Sequence, residues 1–404
     1  MPMSEPLHQP VPPLPPGSWL GLLGGGQLGR MFCMAAQSLG YKVCVLDPGA
    51  ESPAGSVADR HLQADYLDAA ALDELARTCR AVTTEFENVP ARSLERLARD
   101  IVVSPPASAV AIAQDRIAEK AFVQGSGIQV APYAAVRTRA DLLTAPDALF
   151  PGILKVARLG YDGKGQARVA DRAQALAAFD EFTASAGAEV ACVLEKRLAL
   201  ALEMSVVVAR GFDGNAVAFP VSENEHRGGI LAVSVAPARI DAAMAQRATE
   251  STLQIAQRLN YVGVLCVEFF VLDDGSLVVN EMAPRPHNSG HYTIDACVSS
   301  QFEQQVRVLA GMPLGSVRAL APSVMVNLLG DCWFPHGGDA GGADVAREPD
   351  WAAVLAHPGV KLHLYGKSQA RPGRKMGHAT VLGDSADECL QTAALIEQQL
   401  GIRP

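Results

Sequence analysis

The 404-residue chain holds no run near the roughly 18 uncharged apolar residues that a membrane-spanning helix needs, and its opening, MPMSEPLHQPVPPLPPGSW, lacks the basic and apolar blocks of a secretory signal. A soluble, cytoplasmic protein without a membrane partner is expected. Paired-cysteine spacing is missing too. Cys33, Cys44, Cys79, Cys192, Cys266, Cys297, Cys332 and Cys389 stand singly with no C-x-x-C, so neither a zinc site nor a disulfide framework has a spacing to rest on. They read as reduced small hydrophobes. Positive charge is in deficit, with 34 Lys+Arg against 43 Asp+Glu and a net charge of -9, which argues against an extended nucleic-acid surface because phosphate binding needs clustered cations. Global disorder is excluded by a composition 49% hydrophobic and 19% charged. At about 150 residues per domain the length gives two or three domains. No internal repeat is visible.

What is present falls into blocks. Seven of the first sixteen residues are proline, so 1–17 is expected to be a disordered tail. From Ser18 a strand at 19–23, a glycine turn at 24–29, a helix at 30–39 and a strand at 42–47 make a βαβ opening. Further alternation completes an α/β unit over 18–114 with a parallel sheet. The middle, 115–315, mixes helices with antiparallel strands and reads as α+β, with a glycine-rich hairpin loop, Gly160–Gly165, between strands at 152–157 and 166–170. A small β-rich block with a closing helix occupies 316–404.

Gly24, Gly26 and Gly29 satisfy G-x-G-x-x-G after a strand and before a helix, and Asp47 ends the next strand. That pattern serves a dinucleotide site or any anion-facing turn about equally well. Glu268 and Glu281 are more informative. A two-residue hairpin turn at Asp274-Gly275 sets them directly opposite each other. Opposed carboxylates repel, and a magnesium ion with phosphate oxygens completing its shell is the natural remedy; the bland alternative is two solvated acids. The loop Gly160-Tyr-Asp-Gly-Lys-Gly165 offers backbone N–H groups and the Lys164 charge to a polyanion, with Lys155 on the entering strand as a second phosphate contact. A merely flexible hairpin is the competing reading. Lys361, Lys367, Arg371, Arg374 and Lys375 form a basic cluster in an acidic chain, suited to a phosphate monoester or simply to solvent. His287, His291 and His378 read as structural histidines.

The segments GGGQLGRM, TTEFENVP, GYDGKGQ, SENEHRGGIL, NEMAPRPHNSGHYT and YGKSQARPGRKMGH, in that order, closely resemble the 5-(carboxyamino)imidazole ribonucleotide synthase family of the ATP-grasp superfamily, from Ser18 to the C-terminus. The resemblance implies a Rossmann-like N-terminal domain, an ATP-grasp domain with a lid at about 121–195, and a small C-terminal domain. It implies that ATP and Mg2+ are required, that bicarbonate becomes carboxyphosphate, that 5-aminoimidazole ribonucleotide is carboxylated in purine biosynthesis, and that the chain is a homodimer. Among the residues, it implies ATP contacts from Arg116, Lys155, the flap Gly160, Gly163, Lys164, Gly165 and Gln166, the adenine linker Glu195 to Leu198, Glu203 at the ribose, and His226. Glu268 and Glu281 match metal ligands. Gln27, Leu28, Glu85, Asn288, Lys367, Arg374 and Lys375 match ribonucleotide contacts, which moves the glycine turn from a dinucleotide to the substrate. Arg285 stands where bicarbonate is held, and Tyr161, Asp162 and Lys367 complete the catalytic set, Asp162 orienting the amine or taking its proton. Leu198 and Ala201 stand where bulkier residues are usual, and 330–351 matches nothing and reads as a surface loop. Three rivals remain: an oxidoreductase, the formate-dependent glycinamide ribonucleotide transformylase, and a non-catalytic nucleotide sensor.

Overall fold

The computed structural model describes residues 11–160, 164–334 and 346–402. Five parallel strands run in the order Arg60–Leu62, Lys42–Leu46, Trp19–Leu23, Ala81–Thr84, Val102–Val103. Their apolar runs, such as WLGLL, are buried because helices cover both faces of such a sheet. Residues 11–17 correct the expectation of a disordered tail. The Leu14 N–H donates to the Ala310 carbonyl at 2.9 Å, the Tyr41 hydroxyl donates to the Leu14 carbonyl at 2.8 Å, and the Leu14 side chain joins the N-terminal core. Proline restricts the unfolded chain, so this segment loses little entropy on docking.

A second sheet is antiparallel. Its order is Leu277–Ala283, Gly263–Leu272, Leu200–Arg210, Ser222–Arg227, Ile230–Ala236, Ser323–Leu329, Lys375–Leu382, Val360–Leu364, with Ala216–Ala218 paired to Leu200–Arg210. The C-terminal strands extend this sheet through the pairing of Ile230–Ala236 with Ser323–Leu329 and share its core at Val233, Val235, Val324 and Val326. A third, four-stranded sheet has the order Tyr133–Val136, Cys192–Lys196, Gly152–Val156, Gln166–Val169, and packs on helices Arg139–Thr144 and Arg172–Ala186 around its own core. Here the expected hairpin forms, with Lys155 opposite Gln166.

The hairpin carrying the two acids has the expected pairing by an unexpected route. Glu268 does face Glu281. The turn, however, is longer than Asp274-Gly275. Leu272 N–H donates to the Ser276 carbonyl at 2.9 Å, and Gly275 takes φ +78, so three residues make the turn. That shifts the register by one, Phe269 pairing with Val279, until a bulge at Asn280 restores it. All eight cysteines are buried and unbridged. Among the described residues no helix is long and apolar enough to cross a membrane.

Candidate active site

A cavity of about 400 Å³ opens where the three sheets meet. The N-terminal sheet contributes the glycine turn. Helix Gln27–Ser38 has no side chain capping it from Gly26. Instead the Glu85 carboxylate accepts the Gly26 N–H at 2.5 Å and the Gly29 N–H at 2.6 Å, taking the anion position at the helix N-terminus. A Cβ on Gly26 would lie 2.2 Å from Glu85 Oε1, so the glycine makes room for this acid. Asp47 is likewise spent, accepting from Gly25 N–H at 2.8 Å and the Tyr66 hydroxyl at 2.6 Å. Both anchor points of a dinucleotide are therefore filled by the protein itself. Burial pushes Glu85 up to about 7 against the pull of its two hydrogen bonds. Gln27 and Leu28 line the cavity beside it.

The other walls carry charge in pairs. Arg116 opens helix Arg116–Gly125 behind the Asp115 cap and reaches Glu281 Oε2 at 2.8 Å. Burial would raise the Glu281 pKa, but the Arg116 charge and hydrogen bond, with Lys155, hold it down at about 2. Among the described residues no arginine pairs with Glu268, which is pushed up to about 7 by burial and by the Glu281 charge. Its Oε1 lies 3.2 Å from His287 Nε2. His287 Nδ1 accepts the Ser289 N–H, which leaves Nε2 facing Glu268. Asn280, at the bulge, and Glu281 both line the cavity. Glu203 and His226 meet at 2.8 Å across neighbouring strands. The buried Asn288 amide nitrogen has no hydrogen-bond partner among the described residues and is available to a ligand.

Of the residues expected from sequence, Gly160, Lys164, Gly165, Gln166, Lys155, Arg285, Asn288 and Lys375 also line the cavity. Four do not. Glu195 is buried, bridging Lys120 and Lys155 at 3.2 Å each, so its side chain faces two ammonium groups and not a base; Leu198 is also absent from the wall. Lys367 donates to the Lys375 carbonyl at 2.6 Å, and Arg374 donates to the Gln369 carbonyl at 2.7 Å on the surface. Tyr161, Asp162 and Gly163 lie outside the described residues.

Sequence reasoning missed Glu87, Glu119, Lys120 and Asn280. One signal existed: Arg116, Glu119, Lys120 and Val123 follow the i, i+3, i+4, i+7 stripe, and Glu119, Lys120 and Val123 are buried. Charged residues on an inward stripe mark a polar site.

Residues 18–114 match the ribonucleotide synthetase preATP-grasp domain, 121–302 the ATP-grasp domain, and 323–392 the phosphoribosylaminoimidazole carboxylase C-terminal domain. The N5-carboxyaminoimidazole ribonucleotide synthase of Brucella melitensis is 46% identical over 91% of this chain and 97% of its own. That of Bacillus subtilis is 41% identical over 93% and 94%. The chain belongs to the N5-carboxyaminoimidazole ribonucleotide synthase family. It is thereby an ATP-grasp ligase. A crystal structure of the Aspergillus clavatus synthase with ADP and 5-aminoimidazole ribonucleotide superposes with a TM-score of 0.82 at 31% identity, covering 95% of this chain and 98% of that one. The Staphylococcus aureus synthetase with ADP gives 0.85 at 37%, covering 96% and 99%. Membership of the synthase family removes the oxidoreductase and transformylase rivals, in line with a glycine turn already filled by Glu85 and Asp47.

Proposed function

We propose that this protein carboxylates the exocyclic amine of 5-aminoimidazole ribonucleotide in purine biosynthesis, using ATP and bicarbonate through carboxyphosphate. The observation that carries the proposal is one cavity lined by Glu85 of the N-terminal sheet, by Arg116 and Lys155 among the phosphate-binding candidates, by the Glu268–Glu281 pair and by Arg285. A bicarbonate oxygen attacks the γ-phosphorus and ADP leaves. The amine then attacks the carboxyl carbon, phosphate leaves, and one N–H proton is lost.

Arg116, Lys155 and the loop 160–166 neutralise the nucleotide phosphates, and Glu203 with His226 addresses the ribose. Adenine contacts from the Glu195–Leu198 linker belong to its backbone, since the Glu195 carboxylate is held by two lysines. Glu268 and Glu281, with the Asn280 amide beside them, fit a magnesium ion: the donors are hard oxygens, and a dication relieves the repulsion that raises Glu268. Among the described residues no three His, Cys, Asp or Glu side chains form a metal cage, as suits an ion completed by phosphate oxygens. When bound it neutralises those phosphates. Arg285 holds bicarbonate with a fixed guanidinium. Gln27, Leu28, Glu85, Asn288 and Lys375 receive the ribonucleotide; Lys367 acts through the Lys375 backbone, and Arg374 stands outside the wall. Tyr161 is assigned to the lid, whose closure keeps water from the acyl phosphate, and Asp162 to orienting the amine or taking its proton. The working form is a cytoplasmic homodimer.

The test supplies ATP, magnesium and 5-aminoimidazole ribonucleotide with bicarbonate, and in a parallel reaction glycinamide ribonucleotide with formate. Equal yields of ADP, phosphate and carboxylated product in the first reaction alone are expected. Formate-dependent turnover, or ATP hydrolysis indifferent to the amine, overturns the proposal.

A further inference from the structure

Glu87 sits on the loop after strand Ala81–Thr84 and reaches across to the central sheet. Its Oε2 accepts the Arg285 Nε–H at 2.5 Å, and both side chains line the cavity. The loop that presents Glu87 is itself fixed. The Gln114 amide donates to the carbonyls of Glu87 and Val89 at 2.6 Å each, and the Thr84 hydroxyl donates to the Phe86 carbonyl at 3.0 Å. On the other side Arg285 Nη1 donates to the Pro286 carbonyl at 3.1 Å. Two of the guanidinium's five N–H groups are thus engaged by the protein, enough to set the plane of a group whose fork otherwise swings on a flexible stem. Two residues earlier on the same loop, Glu85 holds the glycine turn. One short segment therefore organises both the ribonucleotide side and the Arg285 side of the cavity.

We infer that Glu87 is a positioning residue for bicarbonate capture, holding the Arg285 guanidinium in the one orientation that presents its remaining N–H groups to the oxyanion. The inference rests on the reading that Arg285 receives bicarbonate. The Glu87 carboxylate also neutralises Arg285 at the back, so the anion is gripped by directed hydrogen bonds and not by an excess charge. The competing role is a structural ion pair that ties the two sheets together and does nothing for any one substrate.

Steady-state kinetics separate the two. Bicarbonate is varied at saturating ATP and 5-aminoimidazole ribonucleotide, then ATP is varied at saturating bicarbonate, for Glu87→Gln, Glu87→Ala, Arg285→Lys and the double variant Glu87→Ala/Arg285→Lys. Both Glu87 variants are expected to lose about tenfold to a hundredfold in kcat/KM for bicarbonate, with the KM for ATP within about twofold of the parent. The double variant is expected to be no worse than Arg285→Lys, because Glu87 acts only through that guanidinium. Equal weakening toward ATP and bicarbonate, or no bicarbonate effect in Glu87→Ala while Arg285→Lys shows one, overturns the inference alone. An Arg285→Lys enzyme with parental bicarbonate dependence overturns the reading of Arg285 and the inference with it. If Glu87→Ala does not fold, the isosteric Glu87→Gln carries the same comparison.

Discussion

Glu268 and Glu281 share a hairpin, yet their surroundings drive them apart. Arg116 keeps Glu281 ionised, with a pKa near 2, whereas Glu268, beside a neutral His287, is pushed up to about 7. Environment rather than residue type assigns the roles, as with paired carboxylates elsewhere. Glu281→Gln removes the Arg116 partner and, on the proposed function, one metal-binding oxygen together, so ATP turnover is expected to fall by at least about a hundredfold, since charge stabilisation of this kind is worth several kcal/mol. ADP release at saturating magnesium measures it, and near-parental turnover defeats the assignment. Glu195 makes a different case. It lies between Lys120 and Lys155 and is almost fully buried, and removing one member of a buried ion cluster leaves uncompensated charge. Glu195→Gln is expected to destabilise the fold by about 3 kcal/mol, read by urea unfolding. A loss of ATP affinity without any loss of stability would return the carboxylate to the adenine.

The strand–turn–helix at Leu23–Gln27 shows how a motif can be legible while its meaning is not. Three glycines after a strand announce a close approach to the turn, but the approaching group is Glu85, far along the chain, and only the fold brings it there. Gly26 has an ordinary extended backbone, so its need for glycine is purely steric. Gly127 is the converse, with φ +80 and open space around its Cβ position. Gly127→Ala is expected to cost about 1–2 kcal/mol from backbone strain alone. Gly26→Ala should cost about 2–3 kcal/mol by forcing Glu85 off its charged hydrogen bonds, and most of that penalty should vanish in a Glu85→Ala background. Additive losses in the double variant would mean the obstruction is elsewhere. The acid hairpin teaches a related lesson. Alternation and the Asp-Gly signal place Glu268 against Glu281, although the actual turn has one more residue and a bulge at Asn280 compensates. Opposite errors cancelled. The Ser222–Arg227 and Ile230–Ala236 strands are joined by Gly228-Gly229, both at positive φ, a hairpin signal carried by the sequence itself.

Across the chain, periodicity and turn residues exposed the parallel opening and the antiparallel middle. They could not show that Ser323–Leu329 would pair with Ile230–Ala236 and merge the C-terminal strands into the central sheet, because strand pairing between distant segments leaves no local mark. The same convergence leaves the unliganded cavity with carboxyl groups out of their normal range: burial pushes Glu119 up to about 8, and Glu85 and Glu268 up to about 7. In the unfolded chain all three titrate near 4.5, so between pH 8 and 6.5 the folded protein binds protons that the unfolded chain does not, and stability rises as pH falls. The buried histidines work the other way. His287, His291 and His378 are held far below 6.5 chiefly by burial, so below that pH the unfolded chain takes up protons that the folded one refuses. Their effect begins to offset the carboxyls near pH 7 and matches them below about pH 6.5, and Glu281, at about 2, adds a further loss once pH drops below about 4.5. Each bound-proton difference is worth about 1.4 kcal/mol per pH unit. The unliganded protein is therefore expected to gain on the order of 2 kcal/mol from pH 8 to 6.5, hold a plateau to about pH 5, and lose stability below it. Urea midpoints measured across this range without nucleotide or magnesium test the curve. Stability that falls steadily from pH 8 to 6.5 would mean that these three carboxyls are ionised in the empty cavity.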